Sequence, residues 1–359
     1  MLEVHRGPPG GATTAPPEAD PGGGRKRWRK RSLRVLGVLV VVGLAAFGLR
    51  GRLPAWGDVS HAVAAADLWW FLVAALLQVV SIGAFTLQQR GLLGALGVRI
   101  GRGHTFAIVL ASTAMSISLP AGPVVSAAYA VRRFQRAGAT PEAATGVMVV
   151  SGLASIGGVA ALYAGVGLVF AFDGPGKSVG WRPLAVVAGL LVVTVAMVLV
   201  GRRYWGRAPI AVADRGSAGA ARRYLLMLLG WIRSAWHSAA ALTWLAWAGA
   251  LAWSTAKWVA DLLSFLAVAH AFQLPVSLPT LTAVYISVQV VRQVPLTPGG
   301  IGVVELALTA GLTAAGASSA VAAADVLIYR VLSCWLLIPV GGIAAWLLVR
   351  PPRQAALRP

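Results

Sequence analysis

"VPLTPGGIGVVE", residues 294–305, interrupts a long apolar tract with Pro295, Pro298, Gly299, Gly300 and Gly302, and closes on the carboxylate of Glu305; Arg292 stands just upstream. A membrane span normally keeps every backbone hydrogen bond inside one helix, because hydrocarbon offers no other partner. Proline removes a backbone donor, and paired glycines admit conformations closed to other residues. Such a break survives at membrane depth only where protein or a water-filled cavity satisfies the freed groups. Transporters use broken helices in this way, turning helix N-termini toward an anionic ligand. The stretch therefore predicts a helical membrane protein with an interrupted helix at a binding site.

Composition agrees with a membrane class. Hydrophobic residues make up 58% of the chain and charged residues 12%, against about 25% charged in soluble domains. The net charge of +20 is spread in short clusters between apolar runs. That distribution sets membrane orientation and argues against nucleic-acid binding. Cys334 is the single cysteine, and the five histidines are scattered without ligand spacing, so no disulfide, metal site or cofactor is expected.

Residues 1–32 form a Gly/Pro/Ala-rich tail, expected to be disordered and ending in the polybasic "RKRWRKR" of 25–31. Residues 33–349 carry the transmembrane domain, and 350–359 a short basic tail. Apolar runs long enough to cross a ~30 Å core fall near 33–49, 63–88, 142–171, 183–201, 238–269 and 320–349, and residues 222–236 suit an interfacial amphipathic helix. Two further stretches, 104–136 and 278–315, are broken at "LPAGP" (119–123) and "TPGG" (297–300). Basic clusters at 25–34, 90–102, 132–136, 202–223 and 350–358 share one side of the membrane only if both broken stretches enter and return. The expected fold is an all-α polytopic membrane protein of about six full spans and two re-entrant hairpins, with both termini cytoplasmic.

The two breaks match at a constant interval. Pro120 falls on Pro298, Gly122 on Gly300, and downstream Gly138, Ala139 and Thr140 fall on Gly316, Ala317 and Ser318. Opposite entry sides make this an inverted repeat.

Charges inside spans cost at least ~2.5 to 3.5 kcal/mol on insertion scales, so they are functional or paired. Lys257 and Asp261, four apart on one helix, read as an internal structural pair. Arg292 and Arg330 read as phosphate ligands, because guanidinium offers bidentate contacts and keeps its charge. Glu305 reads as their counter-ion in an empty site, or as a proton carrier. Asp325, five residues before Arg330, shares no helical face with it. The expected binding set is Arg292, Pro298, Gly299, Gly300, Gly302, Glu305 and Arg330, with Pro120 and Gly122 from the first break.

"LPAGPVVSAAYAVRRFQRAGATPEAA" and the later "VPLTPGGIGVVELALTAGLTAAGASSAVAAADVLIYR" together resemble the lysylphosphatidylglycerol synthase transmembrane-region family of flippase-like proteins. Pro298, Gly299, Gly300, Gly302 and Glu305 match that family's Pro-Gly-Gly-x-Gly-x-x-Glu pattern, and Arg330 its later arginine. "PAGP" departs from it, with one glycine where relatives have a pair and an acidic residue. The resemblance implies a multi-pass protein of a prokaryotic plasma membrane that translocates anionic phospholipids or polyprenyl-linked phosphates between leaflets. No synthase half follows the spans, so no aminoacyl transfer and no enzymatic activity are expected. A secondary transporter of a small anionic solute and a non-transporting scaffold are the alternatives; oligomerisation is left open.

Overall fold

A computed structural model of the protein describes residues 56–119, 121–173, 242–292 and 298–349, all within the unit Pro54–Pro359. The apolar runs 33–49 and 183–201, the amphipathic segment 222–236 and both tails lie outside the described residues. In chain order the helices are α1 (Trp56–Ala65), α2 (Leu68–Ala95), α3 (Arg102–Ser118), α4 (Gly122–Arg136), α5 (Pro141–Asp173), α6 (Trp244–Ala271), α7 (Leu278–Arg292), α8 (Val303–Ala314), α9 (Ser319–Arg330) and α10 (Leu337–Val349). The described residues contain no strand.

Four helical runs are long and apolar enough to cross a membrane: Leu68–Ala95, Pro141–Gly167, Trp244–Ala271 and Ser319–Val349. The first starts at Asp67, whose carboxylate accepts from the Trp69 N–H, and the third at Thr243, whose hydroxyl accepts from the Ala246 N–H. Each occupies an otherwise orphaned donor of the first turn. The last run is not uniform, since Val331–Trp335 widens into a π turn before α10. Pro339, in the first turn of α10, has no N–H to give the Trp335 carbonyl, and the wider turn absorbs that mismatch.

α2 and α6 form the most extensive helix pair. They run antiparallel: Asp67 N–H donates to the Ala271 carbonyl, Ser264 Oγ to Ala74, and Ser81 Oγ to Lys257. Lipid tails supply no hydrophobic drive between spans, so small side chains and interhelical hydrogen bonds hold such pairs. Gly158 of α5 lies against Ser254 of α6, where a Cβ would stand 2.6 Å from the serine hydroxyl. Leu72, Leu76, Val79 and Val80 of α2 face outward, as an apolar solvent allows.

Both broken stretches are helix, break, helix. The helices α3, α4, α7 and α8 have 17, 15, 15 and 12 residues, roughly 18 to 26 Å long at 1.5 Å per residue, short of a ~30 Å core. The element order long helix, broken pair, long helix occurs twice, as α2–α5 and as α6–α10. Gly138 and Gly316 both end a helix with positive φ, 99° and 105°. The residues after them, Ala139 and Ala317, donate back to Phe134 and Leu312 at 2.9 and 3.1 Å. Thr140 and Ser318 then cap the next helix by accepting from the third residue onward. The two breaks meet: a Cβ on Gly299 would stand 2.9 Å from Ile117 Cγ2 at the end of α3.

Candidate functional site

The second break is held from within the protein. Gly299, Gly300 and Gly302 have φ of 61°, 69° and 88°, a left-handed run that L side chains avoid. Glu305 reaches back so that Oε2 accepts from the Gly302 N–H at 2.7 Å, while Oε1 accepts from Arg330 Nε at 2.7 Å. Arg330 Nη2 also donates to the Gly299 carbonyl at 2.9 Å. Arg330 is fully buried. The carboxylate thus sits where a helix N-terminus attracts an anion, and the guanidinium neutralises it and satisfies a carbonyl that the break frees.

A second charged centre surrounds Asp261 on α6. Its Oδ1 accepts from Gln78 Nε2 at 2.8 Å, and its Oδ2 from the hydroxyls of Tyr285 and Tyr329 at 2.7 and 3.1 Å. Arg292 Nη1 completes the shell at 3.5 Å from Oδ2. Three hydrogen-bond donors from α2, α7 and α9, with the Arg292 ion pair beside them, thereby satisfy one buried carboxylate, as its burial requires. Lys257, one turn away, lies over the Trp258 ring with Nζ 3.7 Å from its centroid. The expected Lys257–Asp261 pair is therefore replaced by Arg292–Asp261, because Trp258 offers the lysine an aromatic face and α7 brings the guanidinium in. Asp325 is fully buried with both carboxyl oxygens unpartnered.

Beside this centre opens a cavity of about 390 Å³, walled by α2, α3, α4, α5 and α6 and closed by Arg292 of α7, Ser333 and Leu337. Lys257, Asp261 and Arg292 line it together with Gln78, Gln89 and a set of serines. Ser112 and Ser116 of α3 and Ser151 and Ser155 of α5 are spaced one turn apart and share this wall. Its charged lining holds two cations to one carboxylate.

Of the residues expected to bind ligand, Arg292 lines the cavity. Gly299, Gly302, Glu305 and Arg330 are joined in the clasp around the break; Gly300 packs toward Val304, and Pro298 opens the short turn Pro298–Gly300. Gly122 packs against the Ser116 carbonyl, next to Pro123 on the cavity wall. Pro120 falls outside the described residues. Arg292 and Arg330 are separated into two pairs, each with its own carboxylate. The sequence reading passed over Gln78, Gln89, Tyr285 and Tyr329. Their signal was present: Gln78, Gln88 and Gln89 all lie inside one apolar 28-residue helix, where polar side chains are costly in hydrocarbon.

The family model described as the lysylphosphatidylglycerol synthase TM region matches residues 34–341. A UPF0104 membrane protein of Methanothermobacter thermautotrophicus is 24% identical over 326 residues, covering 85% of this chain and 93% of that relative. With the match extending over most of its length, and with paired broken helices between long apolar ones, the chain belongs to the lysylphosphatidylglycerol synthase transmembrane-region family.

Proposed function

We propose that the protein carries an anionic phospholipid or lipid-linked phosphate between the leaflets of a prokaryotic plasma membrane, without making or breaking covalent bonds. The observation that carries this reading is the cavity: a polar chamber with two cations, Lys257 and Arg292, walled by helices whose outer faces are apolar. A phosphate is the group such a pair accommodates, since guanidinium gives bidentate contacts and ammonium a compact charge. The phosphatidylglycerol in the family's description is an anionic lipid of this kind.

Within this reading the broken pairs α3/α4 and α7/α8 are re-entrant hairpins, because each arm is short of the membrane thickness. The repeat is inverted, supported by the antiparallel pairing of the corresponding helices α2 and α6. About six spans and cytoplasmic termini complete the arrangement that the basic loops favour. Arg292 and Lys257 meet the phosphate, while Arg330 and Glu305 keep the second break in shape. The test is transport in proteoliposomes, comparing a fluorescent acidic lipid with a soluble anion such as radiolabelled phosphate. Lipid movement with no anion uptake supports flipping; anion uptake alone makes the protein a solute transporter.

A further inference from the structure

Among the described residues four charged side chains are buried, Arg133, Asp261, Asp325 and Arg330. Arg133 donates to the Leu348 carbonyl, Asp261 holds its donors and Arg292, and Arg330 holds Glu305. Asp325 of α9 is 0% exposed, and neither of its carboxyl oxygens has a hydrogen-bond partner. An unpaired carboxylate anion is far too costly in an apolar interior, and the acid keeps its proton there instead. Ionisable residues kept inside membrane spans at such cost mark ion and proton paths.

The surroundings offer Asp325 no structural counter-charge. α9 packs against α1, α6, α8 and the π turn Val331–Trp335. Glu305 of α8 is clasped by Arg330 and the Gly302 N–H, so it is not free to carry a proton. On α6, Asp261 is enclosed by its donors, Lys257 lies over Trp258, and His270 packs edge-on to Trp70. Asp58 and His61 of α1 are exposed, and Cys334 of the π turn is buried and uncharged as a thiol. On α9 itself Arg330 turns to Glu305, while Tyr329, one turn on, shares the face of Asp325. Tyr329 donates to Asp261, which lines the cavity. Asp325 thus stands one helical turn from the residue that ties α9 to the chamber.

The ligand follows from what is there. Among the described residues no cluster of carboxylates, histidines or cysteines could hold a metal ion, whereas a single carboxylate suffices for a proton. We propose that Asp325 is a proton-binding site and that the protein couples the movement of its lipid to a proton. The carboxylate takes up one proton from one side, is neutral in the enclosed arrangement seen here, and releases the proton to the other side. A phosphodiester lipid carries one negative charge, so a proton moving with it leaves no net charge to cross the hydrocarbon. The π turn at the end of α9 gives that helix a joint about which Asp325 can be exposed. This rests on the transport reading and adds its driving force.

The test uses the full chain in proteoliposomes with a fluorescent phosphodiester lipid, at zero membrane potential, with and without a pH step. One-to-one coupling should drive the leaflet ratio of the lipid about tenfold from even for a step of about one pH unit. An ionophore that dissipates the step should return the ratio to even. Asp325→Asn, close in shape but unable to release a proton, should spread the lipid evenly and hold no asymmetry. Asp325→Ala is a second neutral variant should the first not fold, and Asp325→Glu, which restores an acid, should recover the asymmetry in part. An even ratio in a wild type that moves lipid, or an asymmetry that survives in the neutral variants, overturns the proton site and leaves lipid carriage standing. No lipid movement by folded wild type under any condition overturns the transport reading and the coupling with it.

Discussion

Ala121 and Gly299 share one backbone conformation at corresponding places in the two breaks, with φ 56°, ψ 30° and φ 61°, ψ 10°. The alanine tolerates what the glycine adopts freely, so this one position keeps its conformation in both breaks, whereas Gly122, which corresponds to Gly300 at φ 69°, has no positive φ. A left-handed alanine costs roughly 1 to 2 kcal/mol. Ala121→Gly relieves that strain but gives the unfolded chain about 0.4 to 1 kcal/mol of extra freedom. The net expectation is a gain of roughly 0.5 to 1 kcal/mol, read as a higher midpoint in thermal unfolding of the purified protein. A lower midpoint would contradict the strain.

Gly299→Ala should have the opposite effect, since its Cβ would meet Ile117 Cγ2 at 2.9 Å and the Ile117 carbonyl oxygen at 3.1 Å. Overpacking of this kind costs about 1 to 3 kcal/mol. Ile117→Leu moves the branch away, so the double variant should recover part of the loss, with a coupling of about 0.5 kcal/mol or more. Strictly additive losses would show that the two breaks do not press on each other.

Arg292 and Arg330 should separate when each is replaced by Gln. Arg330→Gln leaves Glu305 and the Gly299 carbonyl without their buried partner, a loss of about 3 to 5 kcal/mol. It should be seen first as poor yield and a lowered unfolding midpoint. Arg292 retains 28% side-chain exposure at the cavity, and Asp261 keeps three other donors without it. Arg292→Gln should therefore fold and lose acidic-lipid binding about tenfold, the worth of one charge-assisted contact. Normal flipping by a well-folded Arg292→Gln protein would remove this residue from the site.

Lys257→Met keeps the length of the side chain and its contact with Trp258 but deletes a cavity cation. Binding of an acidic lipid in detergent should weaken about tenfold, with less dependence on salt than wild type. Unchanged affinity and salt dependence would return Lys257 to a purely structural role.

The charge asymmetry of the loops predicts orientation. In a Cys334→Ser background, Gly176→Cys should react with an impermeant maleimide from outside, and Arg207→Cys only after the membrane is opened. Reversed labelling would turn the topology over.

Local backbone chemistry was legible in the sequence because it is written within a few residues. The apolar runs at 63–88, 142–171, 238–269 and 320–349 return as α2, α5, α6 and α9–α10, with ends shifted by caps at Asp67 and Thr243. Gly138 and Gly316, Thr140 and Ser318 already implied matching helix ends, since positive φ and side-chain caps depend on nearest neighbours. Pairing of charges was decided by the tertiary structure. Asp261 stands one turn from Lys257, yet its partners Gln78, Tyr285, Tyr329 and Arg292 come from α2, α7 and α9. The polar wall of the cavity likewise formed only when α2 met α5 across Gln89 and Ser151. Helix breaks are encoded by what the backbone at one place can adopt. The partner of a buried charge is fixed by which distant helices pack around it, and a desolvated carboxylate must take the donors that packing delivers.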